Sequence, residues 1–512
     1  MRFLSRRRKE KTAAPGEKLS SRLEDNLVRL NQRLGSMADV VKREFYIAGD
    51  KPVKAFLFYI DGLVNRGLID EIILKPLMEE SLKRGRQFRS ADEIYYHILS
   101  STDAELVTTW AELLHRFLSG ELCLLIDGNA AAIVVDARGE QVRGIEEPPT
   151  EPVIRGPRDG FTENIRINTM MIRRRVKSEH LKMESFILGE LTRTEVIVAY
   201  LANVAQPDVV AEVKKRLQEI KIDGVLESGY IEEFFCERPF CPFPTVLSTE
   251  RPDRVAAALL EGRVALLVDG TPFALVMPVT FFSLLQASED YYNNACYASA
   301  LRLIRLLALN FSILLPSLYI AITTFHQEMI PTSLVVSLIS SREGVPFPAF
   351  VEALLMEITF EVLREGGVRL PRPVGHAVSI VGALVIGQAA VAAGLVSTAM
   401  IIVVALTAIA NFVIPSFEAA TVVRLLRFPL MALSASLGLY GVGLGLLTIL
   451  IYAASLRSFG VPYLSPMAPA VAGELSDVMV RRPWYLMFFR PKLIAGKDVQ
   501  RLEKGSSELD RG

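Results

Sequence analysis

The chain has 512 residues, and its 57 Lys and Arg balance 57 Asp and Glu to a formal net charge of zero. That balance argues against a nucleic-acid binder, which carries a basic excess. A hydrophobic share of 51% and a mean hydropathy of +0.31 exclude disorder and are unusual for a purely soluble protein. Four cysteines (Cys123, Cys236, Cys241, Cys296) are too few for a disulfide scaffold in a chain of this length.

Residues 1–35 form a basic extension, with nine Lys or Arg against four Asp or Glu in residues 1–30. The opening MRFLSRRRKEK leads into polar sequence rather than an apolar run, so no signal peptide is expected. The next part is a duplication. Leu118–Gly128 (LSGELCLLIDG) matches Leu260–Gly270 (LEGRVALLVDG) at an offset of 142. Each segment ends in a short apolar strand, a Gly-containing turn and a second strand, Ala131–Val135 or Phe273–Met277. Upstream, Gly49 aligns with Gly189 and Ala55–Ile60 with Val196–Leu201, and helical patterns such as Val209–Ile220 separate the strands. The reading is an α/β soluble domain of two related subdomains, 36–150 and 160–290.

Asp127 and Asp269 each precede a Gly between strands, which is turn chemistry rather than catalysis. Cys236 and Cys241 lack a second cysteine pair or a nearby His, so no zinc site is expected. The five histidines form no metal pattern, and phosphate-loop and nucleophile-elbow motifs are absent from the sequence. The sequence predicts neither an enzyme nor a cofactor.

An α-helical transmembrane domain follows, over 301–457. Between Pro373 and Leu456 only Glu418, Arg424 and Arg427 carry full charges, and no lysine occurs between Ile222 and Pro491. A crossing takes about 20 mostly apolar residues. Four spans are the simplest expectation: Leu303–Phe325, His376–Val396, Thr398–Phe417 and Phe428–Leu456. The long last run, with its upstream residues, also allows two short crossings, which would make five. Arg302 and Arg305 precede the first span; Arg481, Arg482, Arg490 and Lys492 follow the last. Positive-inside bias places both flanks in the cytoplasm, so the N-terminal domain and the basic tail 458–512 share one side. Arg482–Arg490 (RPWYLMFFR) reads as an interfacial aromatic anchor with basic ends. Glu418 and Arg424 stand too far apart for an i, i+4 pair, and Arg424 and Arg427 can snorkel.

Several stretches carry a family resemblance that runs from about residue 40 to about 495. They are Thr249–Val255 with Leu260–Gly270, Asn164 to Arg175, Ser288–Tyr292, Ser341–Pro348, Phe360–Gly366, and above all Val378–Val391 continuing to Ile414-Pro415. In these the chain resembles the bacterial spore germinant-receptor A-subunit family, and a stage V sporulation membrane protein branch shares the architecture. Gln388 stands where many members carry Glu. The resemblance implies a membrane subunit of a nutrient-sensing complex in the inner membrane of the spore. Its implied partners are further copies of the chain as a homo-oligomer, a transporter-like B subunit, a lipoprotein C subunit and membrane lipid. It also implies that the A subunit oligomerises into an ion channel opened by nutrient.

The membrane sequence offers residues for such a role. Ser379, Ala383, Gly387, Ala390 and Gly394 recur at helical spacing, a small-residue face suited to close helix packing. Val381, Val385, Gln388 and Ala392 lie on another face, and repeated around an oligomer axis they would line a narrow, mostly apolar pore. The alternative for that face is lipid or another helix. The segment 331–366 is expected to lie at the membrane interface. Its Glu357, Glu361 and Glu365 share a helix face and could ring a vestibule that concentrates cations; the plainer reading is a solvated stripe. The competing function is a membrane-anchored scaffold that organises partners without conducting ions. A secondary transporter is disfavoured, because the visible repeat lies in the soluble part rather than among the spans.

Overall fold

The computed structural model describes residues 17–35, 37–48, 52–80, 90–97, 104–137, 146–238, 240–369, 385–471, 474–496 and 498–502. Helix α1 (Leu23–Leu34) is amphipathic, burying Leu23, Leu30 and Leu34. It leads into β1 (Val40–Ile47), β2 (Val53–Ile60), β3 (Ala104–Val107), α2 (Trp110–Leu118), β4 (Leu122–Ile126) and β5 (Ala132–Val135). The strands form one antiparallel sheet in the order β1-β2-β4-β5-β3. Strands β4 and β5 are buried at every position, as unbroken apolar runs require.

The second subdomain repeats this arrangement. Helix α3 (Ile165–Arg175), β6 (Leu181–Leu188), β7 (Thr194–Leu201), α4 (Pro207–Glu219), β8 (Leu247–Thr249), α5 (Pro252–Leu260), β9 (Val264–Val268) and β10 (Ala274–Met277) follow in order. The sheet order is β6-β7-β9-β10-β8, the same permutation as in the first. Registers correspond too: Ala55 pairs with Ile126, and Val196 with Val268.

The duplication extends to side-chain hydrogen bonds. Asn26 Oδ1 accepts from Ser20 N at 3.0 Å, and Asn168 Oδ1 from Thr162 N at 2.8 Å. Asp127 and Asp269 sit in the Asp-Gly turns, with Gly128 and Gly270 at φ +84° and +88°. Their carboxylates accept from Leu23 N (3.0 Å) and Ile165 N (3.2 Å) at the starts of α1 and α3. Each aspartate thus satisfies a backbone donor that the helix itself leaves unpaired.

A buried ion pair joins the subdomains. Arg173 Nε donates to Asp39 Oδ2 at 2.6 Å and Nη2 to Oδ1 at 3.0 Å, with both side chains 1% exposed. Ala38 N also donates to Met183 O at 2.8 Å.

Among the described residues, five longer helices follow: α6 (Ala295–Phe325), α7 (Thr332–Arg342), α8 (Ala349–Arg369), α9 (Thr398–Phe412) and α10 (Phe417–Ser455), with a short helical stretch at 385–392 before α9. Two of them, α6 and α10, are long and apolar enough to cross a membrane. Both leave large apolar side chains exposed along their length, Leu307 and Phe311 on α6 and Leu450 and Ile451 on α10, a surface suited to lipid rather than water. The last span was expected to begin at Phe428; the helix begins at Phe417.

The chain does not continue straight through α10. Gly438 has φ +61° and ψ −141°, outside the helical region. A Cβ on Gly445 would lie 2.5 Å from Leu430 Cδ2, and one on Gly441 would lie within 3 Å of the Leu433 carbonyl carbon. These residues meet only if α10 folds back on itself at Gly438. The tip rests on the far end of α6, where a Cβ on Gly438 would meet Phe325 and His326. Both ends of the hairpin return to the soluble domain. Ala419 and Ala420 join the apolar core that contains the subdomain sheets, and Arg238 Nη1 donates to Ser455 Oγ at 3.1 Å.

The tail then packs against the second subdomain. Val279 N donates to Ser458 Oγ (3.0 Å), Phe281 N to Tyr463 O (2.9 Å), and Gln206 Nε2 to Leu493 O (3.2 Å).

Candidate functional site in the helical layer

A charged layer lies where α6, α8 and α10 pack together, and proline chemistry helps create it. Pro316 lies within α6 and has no N–H, so the carbonyl of Ser312, four residues earlier, has no helical donor. Arg427 of α10 supplies one: its Nε donates to Ser312 O at 2.8 Å and its Nη2 to Ser312 Oγ at 3.2 Å. The Nη1 of Arg427 pairs with the carboxylate of Glu357 on α8, and both side chains are 3% exposed. The next rung is Arg424 Nη1 to Glu361 Oε2 at 2.8 Å. Glutamates four apart on α8 thus meet arginines three apart on α10, in opposite order, so these helices run antiparallel. Arg364 completes the layer, its guanidinium 5.2 Å from the Phe412 ring centre.

At the far end of the layer, fully buried Glu352 holds a loop. Its Oε2 accepts from Ser397 N at 2.9 Å, and its Oε1 lies 3.2 Å from Arg342 Nη2. Ser397 Oγ in turn accepts from Met400 N at 3.3 Å, capping α9. Around this loop Ile320, Ala353, Met356, Met400 and Met431 form a small apolar core.

These contacts revise two expectations. The stretch 331–366 is not a single segment: it divides into α7 and α8, and α8 packs against α6, α9 and α10. Glu357, Glu361 and Glu365 do not form an open stripe either. Glu357 is buried on Arg427, Glu361 is held by Arg424, and Glu365 is exposed. Arg424 and Arg427 do not snorkel; each reaches a glutamate on another helix. A lone guanidinium in an apolar layer is costly, and a pair with further hydrogen bonds removes much of that cost.

The other predicted residues separate by face where they are described. Val385, Gln388 and Ala392 are exposed on the helix at 385–392. Gly387 is buried, facing Ile401 of α9, and Ala390 packs against the small apolar core. Gly394 ends the stretch at φ +64° and lies against the carbonyl of Gly344. Ser379, Val381 and Ala383 lie outside the described residues. Sequence reading missed Glu352, Ser312 and Asn411, whose side-chain amide hydrogen-bonds to Ser312 Oγ at 3.2 Å, as members of the polar layer. The signal for Ser312 was its position four residues before Pro316; the other two carried none without knowing which helices meet.

Comparison with known proteins adds the family. The sequence matches the family described as Bacillus/Clostridium GerA spore germination protein over residues 28–493. The chain belongs to the GerA spore germination protein family. Among GerA relatives, spore germination protein KA of Bacillus subtilis is 44% identical over 95% of this chain and 89% of its own length. Membrane protein YfkQ of the same organism is 45% identical over 92% and 91%, and spore germination protein GerLA of Bacillus cereus 36% over 94% and 97%. A solved structure, the N-terminal domain of the A subunit of the Bacillus megaterium spore germinant receptor GerK3, shares 34% identity over 52% of this chain and 99% of that one, with a TM-score of 0.43. In this GerA-family chain the described residues join an N-terminal α/β domain to a helical region with two long apolar helices.

Proposed function

We propose that this chain is the membrane subunit of a nutrient-sensing germination receptor and that copies of it assemble around an ion-conducting pore. The observation that carries the reading is the exposed face of the stretch at 385–392, where Val385, Gln388 and Ala392 lie beside Ile386 and Ala389. It flanks a helical layer that buries Gly387 on its inner side and pairs Arg424 and Arg427 internally. A mostly apolar row with one amide is suited to a constriction that closes by dewetting. By helical spacing in the sequence alone, Val381 belongs with this row, and Ser379 and Ala383 with Gly387, Ala390 and Gly394. Both ends of the α10 hairpin meet the α/β domain, which supports domain and tail on one side of the membrane, and positive-inside bias makes that side the cytoplasm. A transporter-like B subunit and a lipoprotein C subunit complete the receptor.

The test is cation flux from liposomes holding the purified oligomer. Val385→Ala and Gln388→Ala are expected to change conductance while leaving assembly intact. If neither changes it in a verified oligomer, the pore face is wrong. No flux at all with partner assembly intact would favour a membrane-anchored scaffold.

A further inference from the structure

The tail and the second subdomain line an open cleft of about 360 Å³ that the pore reading does not use. It lies where the membrane helices begin. Asp477, on its wall, accepts from Tyr291 OH at 2.9 Å and pairs with Arg302 of α6 at 3.2 Å, one residue before the first apolar run. Five cations line it: Arg263, Arg482, Arg490, Lys492 and Arg501. Three carboxylates also line it, and each is engaged. Asp477 is held as above, Glu261 lies 3.6 Å from Arg501 Nη2, and Glu474 Oε1 accepts from Lys492 N at 2.7 Å.

The cations are less well matched. Arg263 is 7% exposed; its Nη1 donates to Pro278 O at 3.0 Å and Ser283 Oγ at 3.4 Å, but its Nε has no hydrogen-bond partner, the Glu261 carboxylate standing 3.5 Å away without the geometry of a bond. A buried donor left open costs free energy and calls for an acceptor. Among the described residues, the side chains of exposed Arg482 and Lys492 have neither a hydrogen bond nor an ion pair. The rest of the wall is apolar, with Phe282, Leu486, Phe488 and Phe489. Leu486 and Phe489 are also exposed at the rim, beside half-exposed Trp484.

We infer that this cleft binds the phosphate headgroup of an anionic phospholipid from the adjoining leaflet. Arg263, Arg482 and Lys492 would receive the phosphate, and the aromatic rim would meet the first acyl carbons. A small soluble anion would use the cations and leave the apolar wall idle; a lipid uses both. The inference rests on the membrane reading of α6 and α10 and is independent of whether the chain conducts ions.

The chain has two tryptophans, and Trp110 is fully buried, so Trp484 serves as a local fluorescent reporter. The full-length protein in a neutral detergent is titrated with short-chain phosphatidylglycerol, short-chain phosphatidylcholine and inorganic phosphate. A saturable change with phosphatidylglycerol alone is expected. Arg482→Gln and Lys492→Gln, both at exposed positions, should each weaken it about fivefold, the equivalent of ~1 kcal/mol per basic residue at an anionic lipid surface. Equal responses to the glycerol and choline lipids, or saturation by inorganic phosphate at the same concentration, would overturn the assignment. So would wild-type affinity in the doubly substituted protein.

Discussion

Replacing Arg427 with methionine tests the charged layer most directly. The change leaves Glu357 as an unpaired buried carboxylate and removes the donor from the Ser312 carbonyl that Pro316 leaves open. Breaking a buried pair by removing one partner costs about 3–5 kcal/mol. For a helical domain of this size, that corresponds to a fall of roughly 10 °C in unfolding midpoint, at about 2–4 °C per kcal/mol. Adding Glu357→Gln removes the stranded charge, so the double variant should lack only the bonds to Ser312, a deficit of about 1–3 kcal/mol. The second substitution is therefore expected to recover about 2 kcal/mol, although Glu357→Gln alone destabilises. Thermal unfolding in detergent, followed by circular dichroism, measures all four corners of this cycle. A double variant as unstable as the sum of the singles would mean that the residues do not pair.

Three further predictions rest on separate contacts. Gly438→Ala places a side chain at φ +61° against Phe325 and His326, and should lower the midpoint by a strain of about 1–3 kcal/mol; an unchanged midpoint would mean that α10 does not fold back there. Arg173→Leu strands buried Asp39 between the subdomains and should cost about 3–5 kcal/mol in chemical denaturation, whereas an effect below 1 kcal/mol would show the subdomains to be independent. Asp127→Ala and Asp269→Ala should cost about 0.5–2 kcal/mol each, as lost helix-start hydrogen bonds do; loss of ion flux at full stability would reveal a role beyond the turn.

The duplication was legible because it is local: a strand, an Asp-Gly turn and a second strand recur 142 residues apart, and the structure gives both copies the same sheet order. The apolar character of α6 and α10 was legible for the same reason, since about 20 apolar residues in succession carry their own signal. What escaped is non-local. Arg427 finds Glu357 across 70 positions, and no spacing rule connects them. The hairpin in α10 was open to either reading, because Gly438 is one of several glycines in Leu437–Gly445 and composition does not single it out. The acidic residues of α8 follow helical periodicity, which says that they share a face but not what that face meets.

That pairing also constrains how a pore in this layer would open. Sliding α8 past α10 separates buried Glu357 from Arg427 at several kcal/mol and also breaks the partly exposed Glu361–Arg424 pair, which adds about 1 kcal/mol or less. Helices locked by two such rungs therefore move together. The stretch at 385–392 has no charge to unpair, meets α9 through Gly387 and Ile401, and ends at Gly394 in a backbone conformation that permits a hinge. If gating follows the lower-cost motion, this stretch moves against a fixed α8–α10 unit. With the four native cysteines replaced, a short thiol-reactive cross-link between Gly387→Cys and Ile401→Cys should abolish nutrient-triggered flux in the reconstituted receptor. One between Glu361→Cys and Arg424→Cys should leave it intact. The reverse pattern would place the moving part between α8 and α10, and the two ion pairs would then be contacts that gating breaks.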